Sequence, residues 1–216
     1  MGIGKPIEEY EKYTLNFLKL KYNELKWCEL GNQKNYENKV AKYIYLSLGV
    51  KHISIDLNGK DGALPINLDQ PIPFIFLNQF DVITNYGDLE HVNKQFQAFK
   101  NVHDMCKQHG IMIHLLPPIG NWPGHCRYYY SKKFVMELAK ACGYQVVNYK
   151  ILDKFTYKTP RNFIAVTYIK KYNNKFITKE RFNHIRGVID TGNLTRTGNY
   201  SKRAVSIIKN IIMKLK

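Results

Sequence analysis

The sequence lacks the long apolar runs of a membrane protein or a secreted precursor. No stretch approaches the roughly 18 unbroken apolar residues of a membrane span, and the start of the chain has no apolar signal-peptide centre. The four cysteines, Cys28, Cys106, Cys126 and Cys142, form no C-x-x-C pair, and Cys28 and Cys142 lie in apolar settings typical of reduced core thiols. We therefore expect no membrane span and a cytoplasmic location.

Acidic side chains are scarce relative to basic ones. The chain has 33 Lys and Arg against 17 Asp and Glu, which gives a formal net charge of +16. Such an excess attracts phosphates, anionic cofactors and acidic polymers, but the lysines are dispersed among Asn and Tyr rather than gathered into one arm. RNA is therefore one candidate partner, and a non-catalytic nucleic-acid-binding protein is one alternative function.

Hydrophobic periodicity predicts alternating strands and helices. The 216 residues suit one α/β domain, and a hydrophobic content of 44% is enough to form its core. The expected fold is Rossmann-like, with a mostly parallel sheet of the seven-stranded type flanked by helices and an extra C-terminal helix. Predicted strands cover residues 25–30, 51–56, 63–68, 80–84, 111–116, 144–149 and 163–169, the last a candidate antiparallel strand. Predicted helices cover residues 7–22, 37–48, 90–108, 131–141 and 201–215.

The first strand-to-helix turn has no G-x-G-x-x-G pattern. Gly31 is its one glycine, so a close backbone approach to a pyrophosphate is disfavoured and NAD is not expected to bind. A turn with the carboxylate of Glu29 and the amide of Gln33 suits instead the amine and carboxylate of a methionyl group. Asp56 closes the second strand, where a carboxylate can accept both ribose hydroxyls of a nucleoside. The alternatives are a turn or capping acid at Asp56 and a surface acid at Glu29.

Over residues 8–170 the chain resembles the class I methyltransferase family, which uses S-adenosylmethionine. The resemblance is cumulative, and it includes Glu29-x-Gly31, Asp56 after the second strand, the strand at residues 80–84, Leu-Glu-His-Val at 89–92 and Gly-Ile-Met-Ile at 110–113. It implies a methyltransferase domain at residues 1–170 and a basic C-terminal extension at 171–216 packed on the same domain.

The resemblance also implies a set of cofactor contacts. The methionine part would face Glu29, Gly31, Asn32 and Gln33, the ribose Asp56, the adenine Asn67 and Leu68, and the sulfonium Asn85 and Tyr86. The chain departs from the family in three respects. The first turn is reduced to one glycine, Asn67 stands where an acid is common, and the segment between Asp56 and Phe80 is short.

Four potential bases or ligands follow the fourth and fifth strands of the predicted sheet. Glu90, His91, His114 and His125 lie at or just after strand ends, where the acceptor would be, and a hydroxyl acceptor needs a base or a metal. The catalytic candidates are His91, His114 and His125. The alternative is structural, with Glu90 and His91 beginning a helix and His114 lying in the core.

A metal site is a further hypothesis for the same residues. Glu90, His91 and His114 are similar to the metal ligands of RNA 3′-terminal ribose 2′-O-methyltransferases, which suggests Mg²⁺ or Mn²⁺. That family has an earlier glutamate where this chain has Gly87, so Asp88 or His125 would have to supply the missing ligand.

The loop at residues 117–125 combines prolines with Asn121 and Trp122, a composition that suits a surface on which a sugar can stack. The alternative is a loop that only covers the sheet edge, which would favour the same residue types. The sequence therefore predicts methyl transfer from S-adenosylmethionine to a hydroxyl of a sugar, a glycan or a similar small polar acceptor. Methylation of RNA, at the ribose 2′-oxygen or on a base, is the alternative. The sequence does not define an oligomeric state.

Overall fold

The computed structural model describes residues 2–153 and 161–192 of the chain. The predicted helix over residues 201–215 lies outside the described residues. The strands are β1 (Lys26–Leu30), β2 (Lys51–Ile55), β3 (Phe80–Tyr86), β4 (Cys106–Leu116), β5 (Tyr128–Tyr130), β6 (Gln145–Leu152), β7 (Phe163–Ile169) and β8 (Val188–Asp190). The helices are α1 (Lys5–Phe17), α2 (Ala41–Ser47), α3 (Gln95–Met105), α4 (Lys132–Cys142) and α5 (Lys179–Asn183).

Six strands form one central sheet in the order β2-β1-β3-β4-β7-β6, and β5 pairs with β8 separately. The pairs β1–β2, β1–β3 and β3–β4 are parallel, whereas β7 is antiparallel to both of its neighbours. These pairings confirm the predicted α/β fold, its mostly parallel sheet and its antiparallel last strand. The sheet has six strands, however, and not the seven that we expected.

The missing strand is the one predicted at residues 63–68. Only an isolated parallel bridge joins Ile55 to Leu64, and the chain then leaves the sheet. Pro65 follows immediately and has no backbone N–H with which to continue a ladder. Three residues later Leu68 is buried in the core, so the segment runs over the sheet edge as an irregular chain.

The helix predicted from residue 90 begins only at Gln95, so this boundary was wrong. The Asn85 side chain accepts hydrogen bonds from the backbone N–H groups of Asp88 and Leu89, both at 3.0 Å, before a 3₁₀ turn at Leu89–His91. Glu90 and His91 therefore lie in a tight turn directly after β3. At the next helix the prediction was close, since α4 begins after Ser131 and ends before Gly143.

Alternate residues of the strands face opposite sides of the sheet. Trp27 and Val82 pack in one apolar cluster with α1 and α2, and their neighbours Cys28 and Ile83 pack in another with α3 and α4. This arrangement covers both faces, as parallel sheets require. The second cluster also contains Phe176, Ile177, Phe182 and Ile185, which follow the predicted domain boundary. Over the described ranges, no helix has the length and apolar character needed to cross a membrane.

Candidate active site

A groove of about 830 Å³ lies where the parallel strands β1, β2 and β3 end. In doubly wound sheets this edge is where ligands bind. The groove brings together six of the residues proposed from the sequence, namely Asn32, Gln33, Asp56, Asp88, His91 and His125. Its volume is in the usual range of small-molecule sites.

Glu29, near the end of β1, has a buried carboxylate that lacks both a well-formed hydrogen bond and a positively charged partner. Neither of its oxygens makes a well-formed hydrogen bond, and the closest basic group is the His52 ring, with Nε2 at 3.7 Å. Burial, followed by the charge of Asp88, raises the pKa of Glu29 well above its usual value. Burial also lowers the pKa of His52 to about 4, so that imidazole is neutral and gives Glu29 no positive partner at neutral pH.

Gly31 has a φ of +81°, a conformation that favours glycine. A Cβ atom at this position would collide with Asp88 Oδ1 and lie 2.5 Å from Gln33 Nε2. Gln33 Nε2 in turn donates a hydrogen bond of 2.8 Å to Asp88 Oδ2. The sequence had suggested Asp88 only as a substitute metal ligand, whereas the structure places it against the first turn. Burial raises the pKa of Asp88, and nearby Asp56 raises it further.

Asp56 directly follows β2 and already stabilises the turn around it. Oδ2 accepts the backbone N–H of Asn32 at 3.0 Å, and Oδ1 accepts that of Asn58 at 2.9 Å. A carboxylate oxygen has two acceptor positions, so each retains capacity for a ligand hydroxyl. Asp56 can therefore stabilise its own turn and still accept hydrogen bonds from a ribose.

Six of the nine predicted cofactor contacts are not in this groove lining: Glu29 and Gly31, described above, and four others. Asn67 is exposed and closes a local turn with Asp69, and Leu68 is in the core. Asn85 is buried and supports the turn after β3. Tyr86 points to the opposite side of the sheet, where its hydroxyl donates to Glu11 at 2.6 Å.

Glu11 is a buried residue that the sequence interpretation did not single out. Its carboxylate accepts hydrogen bonds from the hydroxyls of Tyr22, Tyr45 and Tyr86, at 3.0, 2.6 and 2.6 Å. Glu11 lies one turn from Ile7 and Leu15 on the apolar side of α1, and an acid at that spacing was the available signal.

The predicted metal set Glu90, His91 and His114 is not assembled as proposed. Among the described residues, the one group of three side chains with ligand atoms within 4.8 Å of one another comprises His91, His125 and Cys126. Cys126 was missed, although it directly follows His125. Glu90 is fully buried, its Oε1 lies 3.9 Å from His91 Nε2, and burial raises its pKa to about 8.

His114 lies in the core rather than on the groove. Its ring packs between Phe99 and Tyr168, with centroids 5.7 and 5.6 Å away, and Asn85 Nδ2 is 3.4 Å from its Nδ1. Burial lowers its pKa to about 3. These contacts match the structural alternative for His114.

The loop that precedes β5 positions His125. Trp122 Nε1 donates a hydrogen bond of 2.9 Å to the backbone oxygen of Asn162, and its ring packs on Phe163 and on His125. Asn121 is half-buried beside it. The groove lining includes His125 but neither Asn121 nor Trp122.

No protein-family model matches the sequence, and no curated protein is similar to it in sequence. Solved structures are nevertheless similar in fold. The 1,6-didemethyltoxoflavin-N1-methyltransferase of Burkholderia thailandensis, with bound S-adenosylhomocysteine, has a TM-score of 0.56 at 12% identity, over 74% of this chain and 76% of that one. The N-methyltransferase NodS of Bradyrhizobium japonicum has a TM-score of 0.53 at 12% identity, over 78% of this chain and 89% of that one.

An S-adenosylmethionine-dependent methyltransferase of Mesorhizobium loti has a TM-score of 0.51 at 13% identity, over 67% of this chain and 90% of that one. At these identities the similarity concerns the fold. The chain has the fold of class I, Rossmann-like S-adenosylmethionine-dependent methyltransferases, as the sequence predicted.

Proposed function

We propose that the protein is a methyltransferase that uses S-adenosylmethionine and methylates a hydroxyl of a small polar acceptor such as a sugar. The observation that carries the proposal is the buried carboxylate of Glu29, which makes no well-formed hydrogen bond and lies two residues before Gly31 near the end of β1. A buried carboxylate without a partner is costly, and a cationic ligand group at this turn would remove that cost. Asp56 at the end of the adjacent strand has acceptor positions for a ribose.

Within the proposal, this chain's residues bind and orient the cofactor. When bound, S-adenosylmethionine supplies an electrophilic methyl group on its sulfonium. Glu29 and Gln33 would hold its methionyl part, and Asp56 would hold its ribose. The Asp88 side chain fills the space next to Gly31, so we expect it to move or to share the cofactor's amine with Glu29. We assign no adenine contact, because Asn67 and Leu68 lie elsewhere.

His125 is the residue that we assign to activation of the acceptor. It lines the groove and is half-buried, and burial lowers its pKa, so the imidazole is neutral at physiological pH. A neutral imidazole can accept a proton or ligate an ion, and a hydroxyl acceptor needs one of these. Trp122 and Asn121 lie at the same loop and would contact a sugar that extends beyond the groove.

RNA is the second acceptor that we consider. The chain has a formal net charge of +16, and Lys34 and Lys60 line the groove. If RNA is the acceptor, its binding should weaken steeply with salt. A small sugar acceptor would show little such dependence.

Calorimetry and a transfer assay test the proposal on the full chain. S-Adenosylmethionine and S-adenosylhomocysteine should bind, and NAD should not. Label from methyl-labelled cofactor should then appear in a hydroxyl compound from a panel that also contains amines and RNA. His125→Asn should remove transfer but keep cofactor binding, whereas His109→Asn, at an exposed histidine with φ of +63°, should change neither. Binding of NAD without S-adenosylmethionine would overturn the proposal, and label only in amines would overturn its acceptor class.

A further inference from the structure

The side chains of His91, His125 and Cys126 form a compact cluster at the wall of the groove. Their ligand atoms lie within 4.8 Å of one another, and the two imidazole rings are nearly perpendicular, at 83°, with centroids 5.3 Å apart. Tetrahedral zinc with bonds of about 2.0 to 2.3 Å places neighbouring ligand atoms about 3.3 to 3.6 Å apart. Small side-chain rotations would therefore bring the three groups to bonding distance of one ion.

Buried polar atoms around the cluster point to a cation independently. Neither oxygen of Glu90 has a hydrogen-bond partner in another residue, and His91 Nδ1 is also buried without a partner. Glu90 Oε1 lies 3.9 Å from His91 Nε2, so Nδ1 is the nitrogen of that ring left for an ion. A carboxylate behind a ligating histidine is a common outer-shell arrangement in zinc sites, where it orients the ring.

We propose that His91, His125 and Cys126 bind one zinc-like divalent ion, with Glu90 as the outer-shell partner of His91. Two imidazoles and a thiolate favour zinc over Mg²⁺ and Mn²⁺, which prefer oxygen ligands. The site therefore differs from the predicted set of Glu90, His91 and His114 in both its residues and its ion.

The ion would have an open position toward the acceptor. Three protein ligands plus an exchangeable fourth are typical of catalytic zinc, whereas structural zinc has four protein ligands. Both histidines line the groove, and Cys126 is buried behind them. An acceptor hydroxyl in the groove could take the fourth position, which would make His125 a ligand rather than a base. This last step, unlike ion binding itself, rests on the proposed function.

Metal titration of the full chain tests the site. After treatment with a chelator, the protein should bind one Zn²⁺ per chain, and Co²⁺ should give tetrahedral bands together with a thiolate-to-cobalt band. Cys126→Ala should remove the thiolate band. His91→Asn and Cys126→Ala should each lower zinc affinity by more than the roughly 10- to 100-fold typical of an outer-shell change, and Glu90→Gln should stay within that range.

Two matched variants serve as controls. Cys142→Ala changes another buried cysteine, and His109→Asn changes an exposed histidine; both should bind zinc as wild type does. Circular dichroism in chelator shows whether each variant is folded. If a ligand variant does not fold, the cobalt spectrum of the wild type still decides, since a spectrum without the thiolate band overturns the site. Wild-type zinc affinity in Cys126→Ala or His91→Asn would also overturn it.

Failure of this site and failure of the proposed function are distinguishable. Calorimetry with S-adenosylmethionine on the same samples reports cofactor binding whether or not zinc binds. Cofactor binding without zinc binding would overturn only the ion site. Zinc binding without cofactor binding would overturn only the methyltransferase.

Discussion

Replacing Glu29 with glutamine should make the protein more stable and its cofactor binding weaker. The Glu29 carboxylate is fully buried and poorly hydrogen-bonded, and Asp88, Glu11 and Asp56 each raise its pKa further. Glutamine has nearly the same shape without an ionisable group. Glutamine is itself a buried polar group, so the substitution removes only the part of the cost that comes from the charge. Interactions of charged groups exceed those of neutral groups by about 1 kcal/mol, so we expect a gain of this order at pH 7. For a chain of this size, the melting temperature should rise by roughly 2 to 4 °C per kcal/mol.

The pH dependence follows from the direction of the pKa shift. When the pKa of a carboxyl group is higher in the folded state than in the unfolded state, that group contributes most to stability at pH values below the unfolded-state pKa. That contribution is lost as the pH rises toward the folded pKa. The stability advantage of Glu29→Gln should therefore be small below about pH 4.5 and should increase as the pH is raised. Thermal unfolding without cofactor, followed by circular dichroism across this range, measures the difference.

The cofactor should show the opposite effect. Loss of a hydrogen bond to a charged group costs about 1.5 to 3 kcal/mol, so the dissociation constant for S-adenosylmethionine should rise roughly 10- to 150-fold. Glu11→Gln is a matched buried variant, because three tyrosine hydroxyls satisfy that carboxylate, and it should lower stability by about 1 to 3 kcal/mol. Equal destabilisation in both variants, or unchanged affinity in Glu29→Gln, would refute the reasoning.

Three further changes test the same turns and one helix. Asp56→Ala should weaken S-adenosylmethionine binding in calorimetry by about 1 to 3 kcal/mol, through the loss of ribose acceptors; unchanged affinity would remove Asp56 from the site. Gly31→Ala should destabilise the protein in urea unfolding by more than Gly120→Ala, because both have a φ near +80° but only Gly31 faces Asp88, and equal losses would contradict this. Ser131→Ala should lower the urea midpoint, at constant slope, by the equivalent of about 1 kcal/mol, since its hydroxyl caps α4; no shift would show that the cap is dispensable.

Much of the fold followed from residue patterns because long, periodic elements carry a strong signal. Strands β1, β2, β3 and β7 were placed within one or two residues, and α4 was bounded by Ser131 and Gly143. The short elements β5, β8 and α5 were not predicted, because three to five residues are too few to show a period. The helix start at residue 90 was wrong because the side chain of Asn85 supports a different turn there.

The candidate site was only partly accessible from sequence. Strand ends identify a shared edge, which is why Gln33, Asp56, His91 and His125 were proposed and now line one groove. Side-chain direction was less predictable. His114 also lies near a strand end, but its side chain points into the core. Cys126 lies next to the histidines because of the path of a loop, and the sequence has no periodic pattern that predicts this path.

The junction at Glu11 has a consequence for cooperativity. Its carboxylate joins α1 to Tyr45 of α2 and Tyr86 of β3, and all three side chains are almost completely buried. If α1 detached, it would take Glu11 with it and leave the hydroxyls of Tyr45 and Tyr86 without their acceptor, a cost added to that of exposing one helix face. These three segments should therefore exchange their amide hydrogens as one unit. Tyr86 directly precedes the turn that contains Asp88, so we expect fraying of α1 to loosen that turn as well.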